Sequence, residues 1–261
     1  TVQEGLAPGR YKLPDMGYVR LDGGEDVAIM DVGPCGPDEN PAHAHADFLS
    51  VELSVAGKRF LVDPGTAAYA PGLARDICRS ANQHNGPHLV DAEPIEFWHS
   101  FRVGRRGQAI PLNDLEGVAP LCAAGCQDGY EHLGLDVRRF AALWPGEALL
   151  IADLWQGNVA KDRAVSRFLI PADWQVRTAK QTLFLFDRHA VSVNVPVGIP
   201  GNVEPTIWWP HFATPAPAQA FSVAAVKLNE GSLFGLVTIF HWGECPDVDG
   251  PLLLSRLKDL R

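Results

Sequence analysis

Short runs of strand-forming residues, separated by turn signals, recur along the whole chain. The clearest runs are residues 48–55, 148–155 and 232–242. Turn dipeptides such as Gly23-Gly24 and Pro145-Gly146 separate the runs, and only residues 71–80 and 251–260 have helical character. The pattern therefore predicts an all-β fold, a large antiparallel multi-stranded β-sandwich with few short helices.

Neither an internal repeat nor a clear linker divides the 261 residues. We therefore expect a single β-sandwich domain over residues 1–261. No apolar run approaches the roughly 20 residues that a membrane-spanning helix needs. The net charge of −9 also argues against nucleic acid or an anionic membrane as the main partner.

His43, His45 and Asp47 stand at alternate positions directly ahead of a strand-like run. If the strand begins this early, the three side chains share one face, because side chains on a strand repeat every two residues. The same face would then continue through the apolar residues Leu49, Val51, Leu53 and Val55. Polar groups at the end of a buried face need partners.

A metal ion is one such partner. Asp63 follows a short apolar strand that can return from the first one as a hairpin through Ala56-Gly57, which brings Asp63 near the level of His45. A loop that carries His84 can close the site. Imidazole and carboxylate are common zinc ligands, and three of them would leave a fourth position for water or substrate.

The same residues also fit a plainer interpretation. His43 and His45 can be hydrogen-bonded histidines at a strand start, and Asp63, before Pro64-Gly65, can be a turn residue. A cupin-type site is excluded, because it needs a glutamate three or four residues later on the same strand. Position 49 is leucine and position 50 is serine, and Glu52 falls on the opposite face.

Five cysteines are present, so at least one is unpaired within the chain. Cys122 and Cys126 can form a disulfide, but buried thiols are the favoured interpretation for most of the five. The sequence lacks the GxSxG, Walker A and GxGxxG motifs, so hydrolase and nucleotide-binding functions have no support.

Three motifs follow one another in the first third of the chain: HAHADFLSVEL, GKRFLVDPGT, and RSANQHN followed by LVD. Together they resemble successive motifs of the heparinase II/III-type polysaccharide lyases. Weaker likenesses, such as DMGYVRL near the start and LFGLVTIFHW near the end, extend the resemblance over nearly the whole chain. The chain departs from the family pattern after HN, where Gly86-Pro87-His88 follows, and after DPGT, where Ala67-Ala68 precedes Tyr69.

The resemblance implies a two-domain enzyme, with an N-terminal α/α toroid followed by a β-sandwich. This chain would be the sandwich alone, and the toroid of the same protein would be its partner. The resemblance also implies one zinc ion, bound by His45, Asp63 and His84, that organises loops. His43 would face the active-site cleft as the catalytic residue.

The reaction implied by the resemblance is β-elimination of a uronic-acid-containing polysaccharide. We expect Tyr69, Arg75 and Arg79 to contact the anionic polymer, with a solvated surface as the alternative for the two arginines. Most other catalytic groups would come from the toroid, so we expect the isolated domain to be inactive. The alternative function is a non-catalytic carbohydrate-binding or assembly module linked to exopolysaccharide production. The resemblance favours a periplasmic or secreted protein.

Overall fold

The computed structural model describes residues 6–37, 40–99, 101–158, 163–178, 182–228 and 231–261. The predicted domain begins at residue 1, but residues 1–5 lie outside these ranges. The sequence also predicts a strand over residues 95–103, and Ser100 within it lies outside the ranges as well. The strands are β1 (Gly9–Leu13), β2 (Tyr18–Asp22), β3 (Val27–Asp31), β4 (Val51–Val55), β5 (Lys58–Leu61), β6 (Pro87–Leu89), β7 (Phe97–His99), β8 (Arg102–Val103), β9 (Ala109–Pro111), β10 (Leu121–Gln127), β11 (Asp136–Trp144), β12 (Ala148–Gln156), β13 (Ala164–Pro171), β14 (Gln175–Thr178), β15 (Thr182–Phe186), β16 (His189–Val197), β17 (Ile199–His211), β18 (Thr214–Ala224), β19 (Val226–Lys227) and β20 (Leu233–His241).

Antiparallel pairing joins these strands into sheets, as far as the described residues show. Strands β1 to β5 form a five-stranded meander in sequence order. A nine-stranded sheet has the order β14-β15-β16-β20-β12-β11-β10-β9, with β19 paired to β20, and a smaller sheet has the order β17-β18-β13-β6. The predicted all-β sandwich with few short helices is confirmed.

The meander packs on the nine-stranded sheet through a buried aromatic cluster. The Phe60 ring on β5 lies 5.0 Å from Trp174, 5.6 Å from Phe184 on β15 and 5.7 Å from Phe240 on β20, measured between ring centroids. All three contacts are edge-on, which is a favourable arrangement of aromatic quadrupoles. The core therefore lies between the two sheets.

Two helices were predicted, and both are present. Helix α1 (Leu73–Arg79) lies within residues 71–80, and α2 (Gly250–Lys258) overlaps residues 251–260. The Asp249 side chain caps α2 by accepting a hydrogen bond from the Leu252 backbone N–H at 3.0 Å. Neither helix in the described residues is long and apolar enough to cross a bilayer.

The predicted early start of the strand at the HAHAD motif is wrong. Residues Pro41–His43 form a 3₁₀ turn, and β4 begins only at Val51. The Ser50 backbone N–H donates to the Asp47 carbonyl at 2.9 Å, and Leu49 has a φ of 59°. A left-handed residue inside a tight turn interrupts the alternation of a strand, so the polar trio lies on a loop.

The predicted hairpin through Ala56-Gly57 is confirmed. Strands β4 and β5 pair antiparallel, and the turn residues Ala56 and Gly57 have φ values of 49° and 74°. Two successive left-handed residues match the right-handed twist of a two-residue hairpin.

The possible disulfide between Cys122 and Cys126 does not form, because both thiols are free. The two residues lie on one strand, β10, four positions apart. Their Cα atoms are therefore about 13 Å apart, well beyond the reach of a disulfide.

Candidate metal centre

His84 has the most constrained side chain of the predicted site. It is fully buried, and its Nδ1 atom lies 2.7 Å from Oδ2 of Asp63. Its other ring nitrogen, Nε2, is buried and has no hydrogen-bond partner among the described residues. A buried polar atom without a partner is costly, so Nε2 is a natural position for a metal ligand.

His45 and Asp47 approach His84 from the loop ahead of β4. The rings of His45 and His84 are 5.3 Å apart between centroids. One ligand atom from each of His45, Asp47 and His84 lies within 4.8 Å of the other two. Ligands of a tetrahedral zinc ion lie about 3.3 Å from one another, so a small closure of the group would accommodate the ion. The donor set therefore fits a divalent cation.

The structure thus gathers two of the three predicted ligands with a different carboxylate. His45 and His84 meet as expected, whereas Asp63 bonds Nδ1 of His84 and is not in the gathered group. Asp47 was visible in the sequence as the third member of the alternating trio. It was not predicted as a ligand, because the predicted hairpin brought Asp63 near the level of His45 and the family resemblance also implied Asp63.

The VDPG segment holds Asp63 in a turn. Oδ1 of Asp63 accepts a hydrogen bond from the Gly65 backbone N–H at 2.8 Å, which closes an Asx-turn. The Trp209 backbone N–H donates to the Pro64 carbonyl at 2.8 Å. Because both carboxylate oxygens have partners, the Asp63 side chain is oriented toward His84.

Electrostatics in this region favour a cation. Burial opposes the ionised form of Asp63, but the neighbouring His84 lowers the pKa of Asp63 to about 2. Burial also opposes protonation of His84, but Asp63 outweighs it and raises the pKa of His84 to about 9. A metal ion that binds Nε2 would therefore displace a proton from this ring. Burial and the charge of His84 lower the pKa of His45 to about 4, so the His45 ring is neutral and available as a ligand near neutral pH.

Two residues that were not predicted as site residues also border the centre. Burial and the charge of Asp47 raise the pKa of Asp31 to about 8. Burial and the charges of Asp31 and Asp47 raise the pKa of Tyr18 to about 12. Tyr18 lies in the DMGYVRL segment, whose likeness to the family was a weak signal. A divalent ion bound at the centre would oppose both shifts, because its positive charge favours the ionised form of each group.

Asn85 joins the ligand-bearing segments to one another. Its Nδ2 atom donates to the carbonyls of Val51 and Val62, both at 3.0 Å. Its Oδ1 atom accepts from the Leu169 backbone N–H at 2.7 Å. Sequence reasoning did not assign this residue a role, although the HN pair stands in the third motif.

Arg75 and Arg79 on α1 are only 2% exposed, so the solvated-surface alternative for them is wrong. Arg75 donates to the carbonyl of Ala42, and Arg79 donates through Nε to the carbonyl of Ala44 at 2.9 Å. Both guanidinium groups therefore support the backbone of the loop that carries His45.

Exposed aromatic rings lie beside the metal centre. The His43 ring, which is exposed, meets the Tyr69 ring edge-on at 5.0 Å. Tyr69 in turn stacks on Phe212 at 5.1 Å, with an angle of 24° between the planes. Tyr69 is 43% and Phe212 57% exposed. We call His43, Tyr69 and Phe212 the aromatic ledge; it unites the predicted catalytic residue with one predicted substrate residue.

Comparison with known families and structures identifies the fold. Residues 7–237 match the family model "Heparinase II/III-like, C-terminal". The chain belongs to this family. The comparison with curated proteins found no match. The match to the family model over residues 7–237 confirms the predicted family membership.

Solved structures of heparinase-type lyases have the same fold as this domain. Heparan sulfate lyase HepC from Pedobacter heparinus aligns with a TM-score of 0.73 at 16% identity, over 95% of this chain and 38% of that chain. Heparinase III, the BT4657 gene product, aligns with a TM-score of 0.69 at 17% identity, over 89% of this chain and 35% of that chain. The heparinase II/III-like chain thus spans little more than a third of these lyases.

Proposed function

We propose that this chain is the zinc-binding β-sandwich domain of a heparinase II/III-like polysaccharide lyase. In that role it contributes to the β-elimination of a uronic-acid-containing polysaccharide, in the periplasm or outside the cell. Two observations on His84 carry the proposal: its Nε2 atom is buried without a partner, and the residue gathers with His45 and Asp47 in a group that can hold a metal ion. Family membership supplies the lyase context.

His45 and His84 are the imidazole ligands of the proposed site. Two carboxylates compete for the third position. Asp63 is the ligand that the family resemblance implies, and it contacts Nδ1 of His84. Asp47 is the carboxylate with an oxygen within 4.8 Å of a ring nitrogen of each histidine. If Asp47 binds the ion, Asp63 orients the His84 ring, as carboxylates commonly do behind zinc-bound histidines.

The zinc ion would act as a cross-link between loops. Its ligands come from the loop ahead of β4, from the segment after α1 and, with Asp63, from the turn after β5. Bound zinc contributes its binding free energy to the folded state. The loop that carries His43 would therefore be held in place against the cleft.

His43 is the proposed catalytic residue of this domain. The C5 proton of a uronate is weakly acidic while the adjacent carboxylate is charged, so donors must neutralise the carboxylate before a base removes the proton. The exposed His43 ring, positioned by its contact with Tyr69, can be that base or a neutralising donor. The remaining groups would come from the N-terminal α/α toroid of the same protein.

The aromatic ledge is the proposed contact surface for the anionic polymer. Tyr69 presents an apolar ring with a polar hydroxyl, a combination suited to a sugar. The Arg75 guanidinium lies 5.5 Å from the Tyr69 ring centroid. Arg75 and Arg79 would therefore act on the polymer through the positive potential that they create at the ledge.

Metal analysis of chelator-free protein tests the zinc site. We expect about one zinc per chain, and removal by EDTA should lower the melting temperature. Asp47→Asn and Asp63→Asn distinguish the two carboxylates. Substitution of the carboxylate that binds zinc directly should nearly abolish zinc binding, whereas substitution of the carboxylate that only orients His84 should weaken it about 10- to 100-fold. Metal-free protein that is indifferent to EDTA would contradict the proposal.

A further inference from the structure

A fully buried ion pair links the nine-stranded sheet to the candidate metal centre. Arg139 on β11 and Asp153 on β12 lie opposite each other and are both 0% exposed. Arg139 donates from Nε to Oδ1 at 2.6 Å and from Nη2 to Oδ2 at 2.8 Å. Ser166 on β13 donates its hydroxyl to Asp153 at 2.6 Å, so the carboxylate has strong partners on three sides.

The other end of the guanidinium reaches the loops of the metal centre. Nη1 of Arg139 donates to the carbonyl of Leu49 at 2.8 Å and also to the carbonyl of Asn85. Leu49 is two residues after Asp47, and Asn85 directly follows His84. A single planar group therefore connects the two segments that carry the candidate ligands.

Leu49 needs such a partner. Its φ of 59° lies in the left-handed region, which a leucine adopts only when its surroundings enforce it. The side chain is fully buried, and the carbonyl oxygen accepts from Arg139. The hydrogen bond from Arg139 thus stabilises the backbone that turns Asp47 back toward His84.

We propose that Arg139 is a positioning residue for the metal centre, setting the distance between the loop of His45 and Asp47 and the segment of His84. The proposal rests on the proposed zinc site. Buried ion pairs add little net stability compared with apolar residues of the same size. A role in fixing geometry therefore accounts for the pair better than a role in stability.

The neighbouring Arg138 offers a matched control. It lies on the same strand and also combines a carboxylate, Asp136, with backbone carbonyls. Its carbonyl partners, however, are Leu257, Lys258 and Leu260, in the last turn of α2 and just after it, on the other side of the sheet. Arg138→Lys and Arg139→Lys each keep the charge but remove the planar fork of donors.

Zinc affinity, measured by competition with a chelator, separates the two variants. We expect Arg139→Lys to weaken zinc binding about 10- to 100-fold and to change the visible spectrum of the cobalt-substituted protein. Arg138→Lys should leave both unchanged, although both substitutions lower the melting temperature. An Arg139→Lys protein with wild-type zinc affinity and cobalt spectrum would overturn the proposal.

A milder variant keeps the test decisive if Arg139→Lys does not fold. Ser166→Ala removes the hydroxyl that bonds Asp153 and also accepts from Nη2 of Arg139 at 3.3 Å. It should weaken zinc binding by at least about threefold; an unchanged affinity would overturn the proposal. If the wild-type protein binds no zinc, the proposed function itself is refuted. If wild type and variants bind zinc with equal affinity, only the positioning role of Arg139 is refuted.

Discussion

At the scale of single residues, the two ring nitrogens of His84 have different environments. Nδ1 bonds Asp63, whereas Nε2 is buried without a partner. The exposed His43, only two residues before His45, lies outside this arrangement and contacts Tyr69. The two histidines should therefore respond differently to substitution.

His84→Ala should lower the melting temperature of the zinc-loaded protein by roughly 5–10 °C, because the metal cross-link and a buried ion pair are both lost. His43→Ala should leave the melting temperature within about 1 °C, as expected for an exposed side chain. Calorimetry or circular dichroism measures both. Equal effects of the two substitutions would show that the proposed division of roles is wrong.

His88 allows a pH prediction that is independent of the metal. Burial lowers the pKa of His88 from 6.5 to about 4, so between these values the unfolded chain binds a proton that the folded protein does not. The contribution of His88 to the free energy of unfolding should therefore fall as the pH falls from 6.5 to 4, by about 3 kcal/mol in total.

Urea denaturation at several pH values, for wild type and His88→Gln, measures this contribution. The difference in the free energy of unfolding between the two proteins should be constant above pH 6.5. Between pH 6.5 and pH 4 the wild-type protein should lose stability relative to the variant. A difference that does not change with pH would contradict a buried neutral His88.

At the scale of elements, the turn after β5 is built around a glycine. Gly65 has a φ of 73°, and a Cβ atom at this position would collide with the carbonyl oxygen of Trp209. Gly57, in the hairpin between β4 and β5, has nearly the same φ of 74° but no atom within 4 Å of the equivalent position. The two glycines share a backbone requirement and differ in steric surroundings.

Gly57→Ala should therefore cost about 1–2 kcal/mol, the usual penalty for a left-handed alanine. Gly65→Ala should cost clearly more and should also weaken zinc binding, because it displaces the turn that carries Asp63. Chemical denaturation and zinc competition measure the two effects. Equal costs for the two substitutions would mean that the turn can move away from Trp209 freely.

The segment ahead of β4 shows where a periodic pattern misleads. Alternation holds from Val51 onward, where Val51, Leu53 and Val55 are all buried. Extending it back to His43 was wrong, because Leu49 is left-handed and Asp47 begins a turn. Alternating polar residues can stand in a strand or in an irregular loop. Only contacts with distant residues, such as the hydrogen bond from Arg139 to Leu49, decide which of the two forms.

At the scale of the whole molecule, the chain covers little more than a third of the lyases that it resembles in structure. The proposed reaction needs groups on both sides of a cleft. We therefore expect the isolated chain to release little unsaturated product, measured by ultraviolet absorbance, from heparan sulfate or alginate.

A protein that joins this chain to the proposed N-terminal α/α toroid should be active, and His43→Ala in that protein should reduce the rate by about 100-fold or more, the usual contribution of a general base. Strong activity of the isolated chain would show that the toroid is not needed. A joined protein that binds polymer without cleaving it would support the alternative of a non-catalytic module.

The sequence by itself determined the fold class, the family, the β4–β5 hairpin, both helices, and the meeting of His45 with His84. These depend on local hydrophobic periodicity, turn residues and short motifs, all of which are written in neighbouring positions. It also predicted that the hairpin brings Asp63 to the level of His45 and that a loop carries His84 to the same place, since the hairpin register follows from a two-residue turn.

Tertiary structure alone decided that Asp47 joins the two histidines, that Arg75 and Arg79 are buried beneath the loop, and that Arg139 reaches it from the second sheet. Each of these depends on contacts between residues distant in sequence, such as Arg139 with Leu49, ninety positions apart. The energy of a buried hydrogen bond depends on what surrounds it in space, so no local pattern encodes it.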